Sequence, residues 1–376
     1  MEFDYERLSR HPDVEADNLF ASDAADRLIL DEAADALGAA APGTVVVIGD
    51  SYGALTLAAA HRGARGLRVH QDALSGERAL AANARGFGLE GAYASHGFDA
   101  ALLDGAEVVL LRLPRSLDAL DELADGIARW AAPGVRVFAG GMVKHMTTAM
   151  NDVLARRFAR VDVTHARQKA RVLVASGASR PGGPPAWPKV RTDEATGIAV
   201  AAHAAAFAGP AVDIGTRLLL EHLDAAMPDA ARAIDLGCGT GVIAVFLARR
   251  RPGIRILATD QSAAAVDSAR ATAEANGVAD RVEVVRDDAL SALPDGTAEL
   301  ILLNPPFHIG ATVHAGIALK LFADAGRVLA PGGELWAVWN SHLRYRSQLE
   351  QLVGPTRQIA RNATFTVTAS TRRQPE

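Results

Sequence analysis

An Asn-Pro-Pro-Phe tetrapeptide at residues 304–307 directly follows an apolar run that ends in two leucines. Prolines fix the backbone and remove amide donors, so Oδ1 of Asn304 and the carbonyl of Pro305 can both face one amino group. Phe307 can stack on a planar ring. Two acceptors on the N–H bonds of an exocyclic amine favour its pyramidal, attacking form. We therefore predict catalysis at a planar nitrogen by Asn304, Pro305 and Phe307, with a proline-terminated strand and a core phenylalanine as the alternative.

A second chemical pattern is the segment Asp-Leu-Gly-Cys-Gly-Thr-Gly, residues 235–241, which follows a predicted strand and opens a predicted helix. Its glycines let backbone N–H groups approach a ligand closely. Asp260, at the end of the next strand, could accept hydrogen bonds from both ribose hydroxyls, and Asp288 could accept from an adenine amino group. A tight strand-to-helix turn is the structural alternative. A dinucleotide fits less well, because the third glycine comes one residue early and Asp235 suits a cation rather than a phosphate.

Short apolar runs alternate with longer alanine-rich segments, which predicts parallel strands joined by covering helices. Two extended runs near the C-terminus complete a sheet of about seven strands. In the second half we predict strands over residues 232–236, 254–259, 282–286, 298–303, 334–339, 357–360 and 364–369, and helices over 242–250, 263–275 and 315–329.

The first half repeats these landmarks in the same order. Residues 46–53 match 234–241, Asp72 matches Asp260, and residues 110–114 match 302–306. The shared order favours a duplication over coincidental similarity. Because Gly-Asp-Ser replaces Gly-Cys-Gly and Arg112 replaces Asn304, we expect the first copy to be degenerate and to bind no cofactor.

A glycine- and proline-rich stretch predicts a linker over residues 179–195 between domains 1–178 and 196–376. We expect the first domain to serve as a scaffold and as a surface that docks a phosphate-bearing partner. The basic residues that could meet phosphate are Arg112, Arg115, Arg156, Arg157, Arg160, Arg167, Lys169 and Arg171.

Composition bounds the classes of protein that remain. The 376 residues carry a net charge of -5, which disfavours binding of nucleic acid through bulk positive charge. A single cysteine excludes an internal disulfide, and no segment is apolar enough to span a membrane. We therefore expect a cytoplasmic protein. We also expect a monomer without a metal.

The glycine segment followed by two aspartates resembles the class I S-adenosylmethionine-dependent methyltransferases, which have a Rossmann-like α/β fold. In that family the first aspartate and the glycine loop hold the methionine part, and later aspartates hold ribose and adenine. The resemblance implies S-adenosylmethionine as cofactor, bound by Asp235, Gly237, Gly239, Gly241, Asp260 and Asp288.

The sequence NPPFH at 304–308, the segment 207–220 and NSHL at 340–343, behind a degenerate copy, resemble the RsmC/RlmG-type ribosomal RNA guanine-N2 methyltransferases. In that family an Asp-x-Gly-Thr segment lies over the cofactor and substrate pocket, which implies binding roles for Asp213 and Thr216. A helix-capping turn is the alternative for this segment. The tail, residues 340–345 and 362–365, looks more like the large-subunit enzymes than the small-subunit ones.

This resemblance implies methyl transfer to N2 of a guanine in ribosomal RNA, 23S in preference to 16S. The RNA would be naked or part of an assembling subunit. Two other functions stay open. A protein glutamine N5 methyltransferase would present an amide to the same acceptors. The degenerate first half would also suit a non-catalytic RNA-binding or ribosome assembly factor.

Overall fold

The alternation of apolar runs and alanine-rich segments folds into two α/β units, Met1–Trp187 and Pro188–Glu376, in this computed structural model. The structure describes residues 2–16, 18–306 and 311–373, with the backbone alone for 311–315. Within these ranges no helix is both long enough and apolar enough to cross a membrane.

The second unit contains nine strands and five helices among its described residues. The strands are Lys189–Thr192 (β8), Ala199–Ala202 (β9), Arg232–Leu236 (β10), Arg255–Asp260 (β11), Val282–Arg286 (β12), Ala298–Leu303 (β13), Leu329–Asn340 (β14), Thr356–Arg361 (β15) and Phe365–Thr371 (β16). The helices are Ile214–Leu220 (α8), Val242–Arg250 (α9), Ala263–Ala275 (α10), Ala311–Val328 (α11) and Arg346–Leu352 (α12).

Seven of these strands form one sheet in the order β12-β11-β10-β13-β14-β16-β15. The first five run parallel, and β16 runs antiparallel between β14 and β15. The chain order reverses on either side of β10, which makes its carboxyl end the switch point where α/β sheets bind ligands. The predicted seven-stranded sheet is confirmed.

The strand β14 begins earlier than the sequence predicts. Ala298 pairs with Leu329, whereas Leu300 pairs with Glu334, so residues 330–333 bulge between two paired stretches. The Ala-Pro-Gly-Gly sequence therefore interrupts the strand without ending it, because proline and glycine are tolerated at bulges.

Successive residues of the central strands point to opposite faces of the sheet and are buried on both. Leu300 and Leu302 pack in one core cluster with the fully buried Trp336. Ile301 and Leu303 pack in the cluster on the other face, with Phe322 of α11. This two-sided burial fixes the register of β13 and with it the position of the residues that follow.

The first unit repeats the same sheet order, β3-β2-β1-β4-β5-β7-β6, which confirms the predicted pair of Rossmann-like domains. Its strands are Val45–Ile48 (β1), Leu67–His70 (β2), Tyr93–Ser95 (β3), Val108–Arg112 (β4), Arg136–Met142 (β5), Phe158–Val163 (β6) and Ala170–Ala178 (β7). Its helices are Ala24–Glu32 (α1), Ala34–Ala39 (α2), Ala54–His61 (α3), Leu74–Phe87 (α4), Ala100–Leu103 (α5), Leu117–Trp130 (α6) and Ala149–Ala155 (α7).

Part of the predicted linker, residues 179–195, is a regular strand. Strand β8 pairs antiparallel with β9 once the proline-rich stretch has ended at Pro188. Ser268 and Thr272 of α10 and Asn276 at its C-cap bond through their side chains to the backbone of residues 199–203 and hold this hairpin. The division into domains 1–178 and 196–376 stays a prediction.

Candidate active site

The glycine segment forms the turn between β10 and α9. Gly237, Gly239 and Gly241 all have positive φ, at 67°, 53° and 74°. A Cβ on Gly241 would lie 2.9 Å from Cβ of Ala269, so only glycine fits there. A Cβ on Gly237 or Gly239 would meet open space, which makes this stretch of backbone an accessible cradle.

Asp260 at the end of β11 ties the cradle to the neighbouring strand. Its Oδ2 accepts a 3.0 Å hydrogen bond from the Gly239 N–H, and its Oδ1 accepts a 2.9 Å bond from the Ser262 N–H. The Cys238 N–H also donates to the Thr259 carbonyl at 2.9 Å. Asp260 therefore lies against the glycine loop, at the place predicted for a ribose-binding carboxylate.

Asp235 is fully buried directly before the cradle. Its Oδ2 accepts a 3.0 Å bond from the Ala244 N–H, while its buried Oδ1 has no hydrogen-bond partner among the described residues. Burial raises the pKa of this carboxyl to about 7. A buried carboxylate oxygen without a partner is costly, and a cationic or N–H-bearing ligand would satisfy it.

The two aspartates after β12 have different partners. Asp287 accepts from Ser291 Oγ and from the Asp288 and Ala292 N–H groups, so it holds the loop. Asp288 Oδ1 lies 2.6 Å from Nζ of Lys320 on α11. This ion pair was not foreseen from the sequence, because nothing in the spacing brings Lys320 to the third strand. The adenine contact of Asp288 stays a prediction.

Asn304 follows β13, whose Leu302 and Leu303 pair with Asp235 and Leu236. The register therefore brings the end of β13 beside the start of the glycine loop. Asn304 Nδ2 donates to Asp213 Oδ2 at 3.1 Å and to Thr216 Oγ1 at 2.9 Å.

Because both contacts occupy the amino group of Asn304, they set the orientation of its amide. Its Oδ1 is buried and has no hydrogen-bond partner among the described residues. The arrangement thus presents an unsatisfied acceptor beside the cofactor cradle. Three features hold the Asn304 amide in place: its position at the end of β13, the Asp213 carboxylate and the Thr216 hydroxyl.

The Asp213 segment combines the two interpretations that the sequence leaves open. Asp213 caps α8, since its Oδ2 accepts from the N–H groups of Gly215 and Thr216. The same oxygen accepts from Asn304, so the cap also holds a predicted catalytic residue. Asp213 and Thr216 were predicted to bind the cofactor; the structure places them on Asn304, and a cofactor contact stays a prediction.

The remaining residues of the tetrapeptide are only partly described. Pro305 is buried next to Asn304. Phe307 lies outside the described residues, so its stacking role stays a prediction. No cluster of three or more His, Cys, Asp or Glu side chains in the described part of the chain could hold a metal ion.

In the first unit, ion pairs link the residues at the positions that match Asp213, Thr216 and Asn304. Asp23 caps α1 as Asp213 caps α8. Both oxygens of Asp23 bind the Arg112 guanidinium, at 2.7 and 2.9 Å, and buried Asp26 lies 2.9 Å from the same group. Arg112 is therefore held by carboxylates rather than presented to RNA phosphate. Arg112, which replaces Asn304 in this unit, has only N–H donors, whereas Asn304 presents its Oδ1 as an acceptor.

Several other basic residues proposed for RNA docking are paired as well. Such pairing reduces the positive charge that faces solvent, and the pairs that lie at the surface contribute little to stability. The pairs are Arg156 with Asp121, Arg157 with Asp125, Arg160 with Asp162, and Arg167 with Asp31 and Glu32.

Comparison with known families decides the class of protein. The Methyltransferase small domain family matches residues 197–369, and the RLMG N-terminal domain family matches residues 1–179. A protein of Streptomyces coelicolor named ribosomal RNA large subunit methyltransferase G is 36% identical over 96% of both chains. A protein of the same name from Pseudomonas aeruginosa is 34% identical, again over 96% of each chain.

The chain belongs to the ribosomal RNA large subunit methyltransferase G family. The resemblance drawn from the glycine loop, the Asn-Pro-Pro-Phe tetrapeptide and the degenerate first half is thereby confirmed. Among solved structures, a Thermus thermophilus 16S rRNA N2 G1207 methyltransferase (RsmC), in complex with AdoMet and guanosine, superposes with a TM-score of 0.74. It is 20% identical and the match covers 93% of this chain and 92% of that one, which shows a shared fold.

The site of this methyltransferase-family chain fits S-adenosylmethionine on its own chemistry. The open glycine cradle can receive the amino-acid part, and the unpartnered Oδ1 of Asp235 can face its ammonium group. Asp260 can accept from ribose hydroxyls at the end of β11. When bound, the cofactor supplies an electrophilic methyl group on a sulfonium.

The raised pKa of Asp235 leads to a pH-dependent affinity. Below a pKa of about 7 the buried carboxyl is protonated and uncharged, and above it the carboxylate attracts an ammonium group. We therefore expect the affinity for S-adenosylmethionine to increase from about pH 5.5 to about pH 7.5, below the range in which an α-ammonium group loses its proton. Calorimetric titration across this range measures it. Asp235→Asn, which cannot ionise, should bind weakly with a flatter profile, and a wild-type affinity that stays constant would contradict the assignment.

Proposed function

We propose that this chain transfers the methyl group of S-adenosylmethionine to the exocyclic N2 of a guanine in large-subunit ribosomal RNA. The observation that carries the proposal is the buried, unpartnered Oδ1 of Asn304, held in place through its amino group by Asp213 and Thr216. An acceptor fixed in this way suits a planar amine, which must be made pyramidal before it can attack.

The chain's own residues then account for the chemistry. Oδ1 of Asn304 and the Pro305 carbonyl accept hydrogen bonds from the N2 amino group, which localises its lone pair for attack. With S-adenosylmethionine held by the glycine cradle, Asp235 and Asp260, the cofactor would supply its methyl group to the nitrogen that Asn304 and Pro305 orient, and the proton lost from N2 would pass to solvent. Positioning and two acceptors supply most of the acceleration, and no strong base is required. The target guanine must leave its stack to reach Asn304.

The rival functions fit this chain less well. A glutamine N5 methyltransferase could use the same acceptors, but the full-length relatives are named for ribosomal RNA. A non-catalytic assembly factor would not need an open glycine cradle or a buried acceptor at the end of β13.

The proposal extends to the role of the first unit, the oligomeric state, the cellular location and the form of the RNA. We propose that the first unit acts as a scaffold and docking surface for RNA, that the protein works as a cytoplasmic monomer, and that the RNA is taken either free or in an assembling subunit. The ion pairs of the first unit favour contacts through shape and a few exposed cations over binding by net charge.

Identification of the macromolecule that receives the methyl group tests this proposal. Cofactor with a labelled methyl group would be incubated with separated large- and small-subunit RNA from cells that lack the enzyme, with assembled particles, and with total protein. We expect label in large-subunit RNA, free or in particles. Label confined to protein would favour the glutamine alternative, and no label in any fraction would favour the assembly factor.

A further inference from the structure

We propose that Asp213 selects guanine as the target base by accepting a hydrogen bond from its N1–H through Oδ1. This inference rests on the proposed function and names a specificity residue for the same site. It follows from the different hydrogen bonding of the two carboxylate oxygens of Asp213.

Among the described residues, all the hydrogen bonds that the Asp213 side chain makes go to one oxygen. Oδ2 accepts from the N–H groups of Gly215 and Thr216 and from Asn304 Nδ2, at 2.9, 3.3 and 3.1 Å. Within the described part of the chain no hydrogen bond reaches Oδ1, and the side chain is only half-buried. The capping bonds fix the carboxylate, so Oδ1 is a held acceptor beside Asn304 with capacity for a donor from a ligand.

Guanine presents the matching pair of donors. Its N1–H and its exocyclic N2–H₂ lie side by side on one edge of the ring, and the reacting nitrogen is one of the two. When N2 faces Asn304 Oδ1, the adjacent N1–H lies toward the neighbouring acceptor. Adenine has an unprotonated N1 and no amino group at C2, so a carboxylate oxygen at this position would face a lone pair instead of a proton.

The first unit shows which donors a carboxylate binds at the position that matches Asp213. Asp23 occupies the matching helix cap, and its two oxygens bind two nitrogens of the Arg112 guanidinium. A guanidinium edge and the N1–N2 edge of guanine share an N–C–N geometry with parallel N–H donors. In the second unit Asn304 uses only one oxygen of the cap, and the other is left for the base.

The test compares guanine with 2-aminopurine, which keeps the 2-amino group but has an unprotonated N1. An RNA fragment centred on the guanine that the wild-type protein methylates would be made with either base at that position. Asp213→Asn keeps a capping oxygen for α8 and replaces the free oxygen with an N–H donor, which matches the N1 of 2-aminopurine. We expect the ratio of kcat/KM for guanine over 2-aminopurine to fall at least about 10-fold in this variant.

The matched control is Thr216→Val, which removes the other hydrogen bond to Asn304 and leaves Asp213 in place. It should slow both substrates together and leave their ratio unchanged. Asp213→Ser, which still caps the helix but lacks the second oxygen, should lower the ratio as well. Far-ultraviolet circular dichroism and thermal unfolding report that each variant is folded.

Two results would overturn the inference, and they are distinguishable. A wild-type protein that forms N2-methylguanosine, together with an unchanged base ratio in Asp213→Asn and Asp213→Ser, would reject the role of Asp213 alone. A wild-type protein that forms no N2-methylguanosine would reject the proposed function and the inference with it.

Discussion

Asn304→Ala is expected to reduce kcat for methyl transfer by roughly 10³-fold, because it removes the buried acceptor that prepares the amine for attack. Affinity for S-adenosylmethionine should stay within a few fold, since Asp235, Asp260 and the glycine loop are untouched. The measurement pairs single-turnover kinetics on large-subunit RNA with calorimetric titration of the cofactor.

Removal of the side chain also leaves Asp213 and Thr216 without their shared partner, so folding needs its own control. Asn151→Ala makes the same change of residue type on α7 of the first unit, away from the site, and should retain full activity. Asn304→Asp offers two acceptors but sets a negative charge beside the Asp213 carboxylate, and should also be strongly impaired. Retained turnover in Asn304→Ala would show that the Asn-Pro-Pro-Phe segment is structural.

Asp260→Ala is expected to weaken cofactor binding about 100-fold, through loss of charge-assisted hydrogen bonds to the ribose hydroxyls. The same change frees the Gly239 N–H, which Asp260 Oδ2 holds at 3.0 Å, so the cradle also loses its tie to β11. Calorimetry on the whole chain gives both the dissociation constant and the stoichiometry, which we expect to be one cofactor per chain in the wild type.

The duplicated fold supplies a matched control for this prediction. Asp72 follows β2 of the first unit as Asp260 ends β11 of the second. Asp72→Ala should leave affinity and stoichiometry unchanged, because the first unit has lost the glycine pair and the strand-end asparagine. A second bound cofactor, or weaker binding in Asp72→Ala, would show that the first unit still binds the cofactor.

Much of the fold follows from local sequence. Strands β10, β12 and β13 have the bounds that the sequence predicts, because apolar side chains on at least one face mark the extent of each strand. The predicted helices over 242–250 and 263–275 also match α9 and α10. Strand β14 was misjudged at its start, where a Pro-Gly-Gly sequence forms a bulge instead of a boundary.

The residue types of the site were predictable, but their connections were not. Asp213 and Asn304 lie 91 residues apart in sequence, and no local pattern shows that one carboxylate oxygen caps α8 and also orients an amide. The same holds for Asp23 and Arg112, 89 residues apart, whose ion pair depends on how α1 packs against β4. The loss of the glycine loop and of Asn304 in the first unit could be read from the aligned repeats, whereas the ion pairs of Arg112 with Asp23 and Asp26 needed the structure.

The identity of the methylated nucleoside tests the central claim most directly. Large-subunit RNA lacking its native modification would be treated with S-adenosylmethionine bearing a trideuteromethyl group, digested to nucleosides and separated by chromatography with mass detection. The account predicts a single labelled product, N2-trideuteromethylguanosine, which is absent when Asn304→Ala replaces the wild type. Label on adenosine, on a ribose oxygen or on another guanine atom would contradict it.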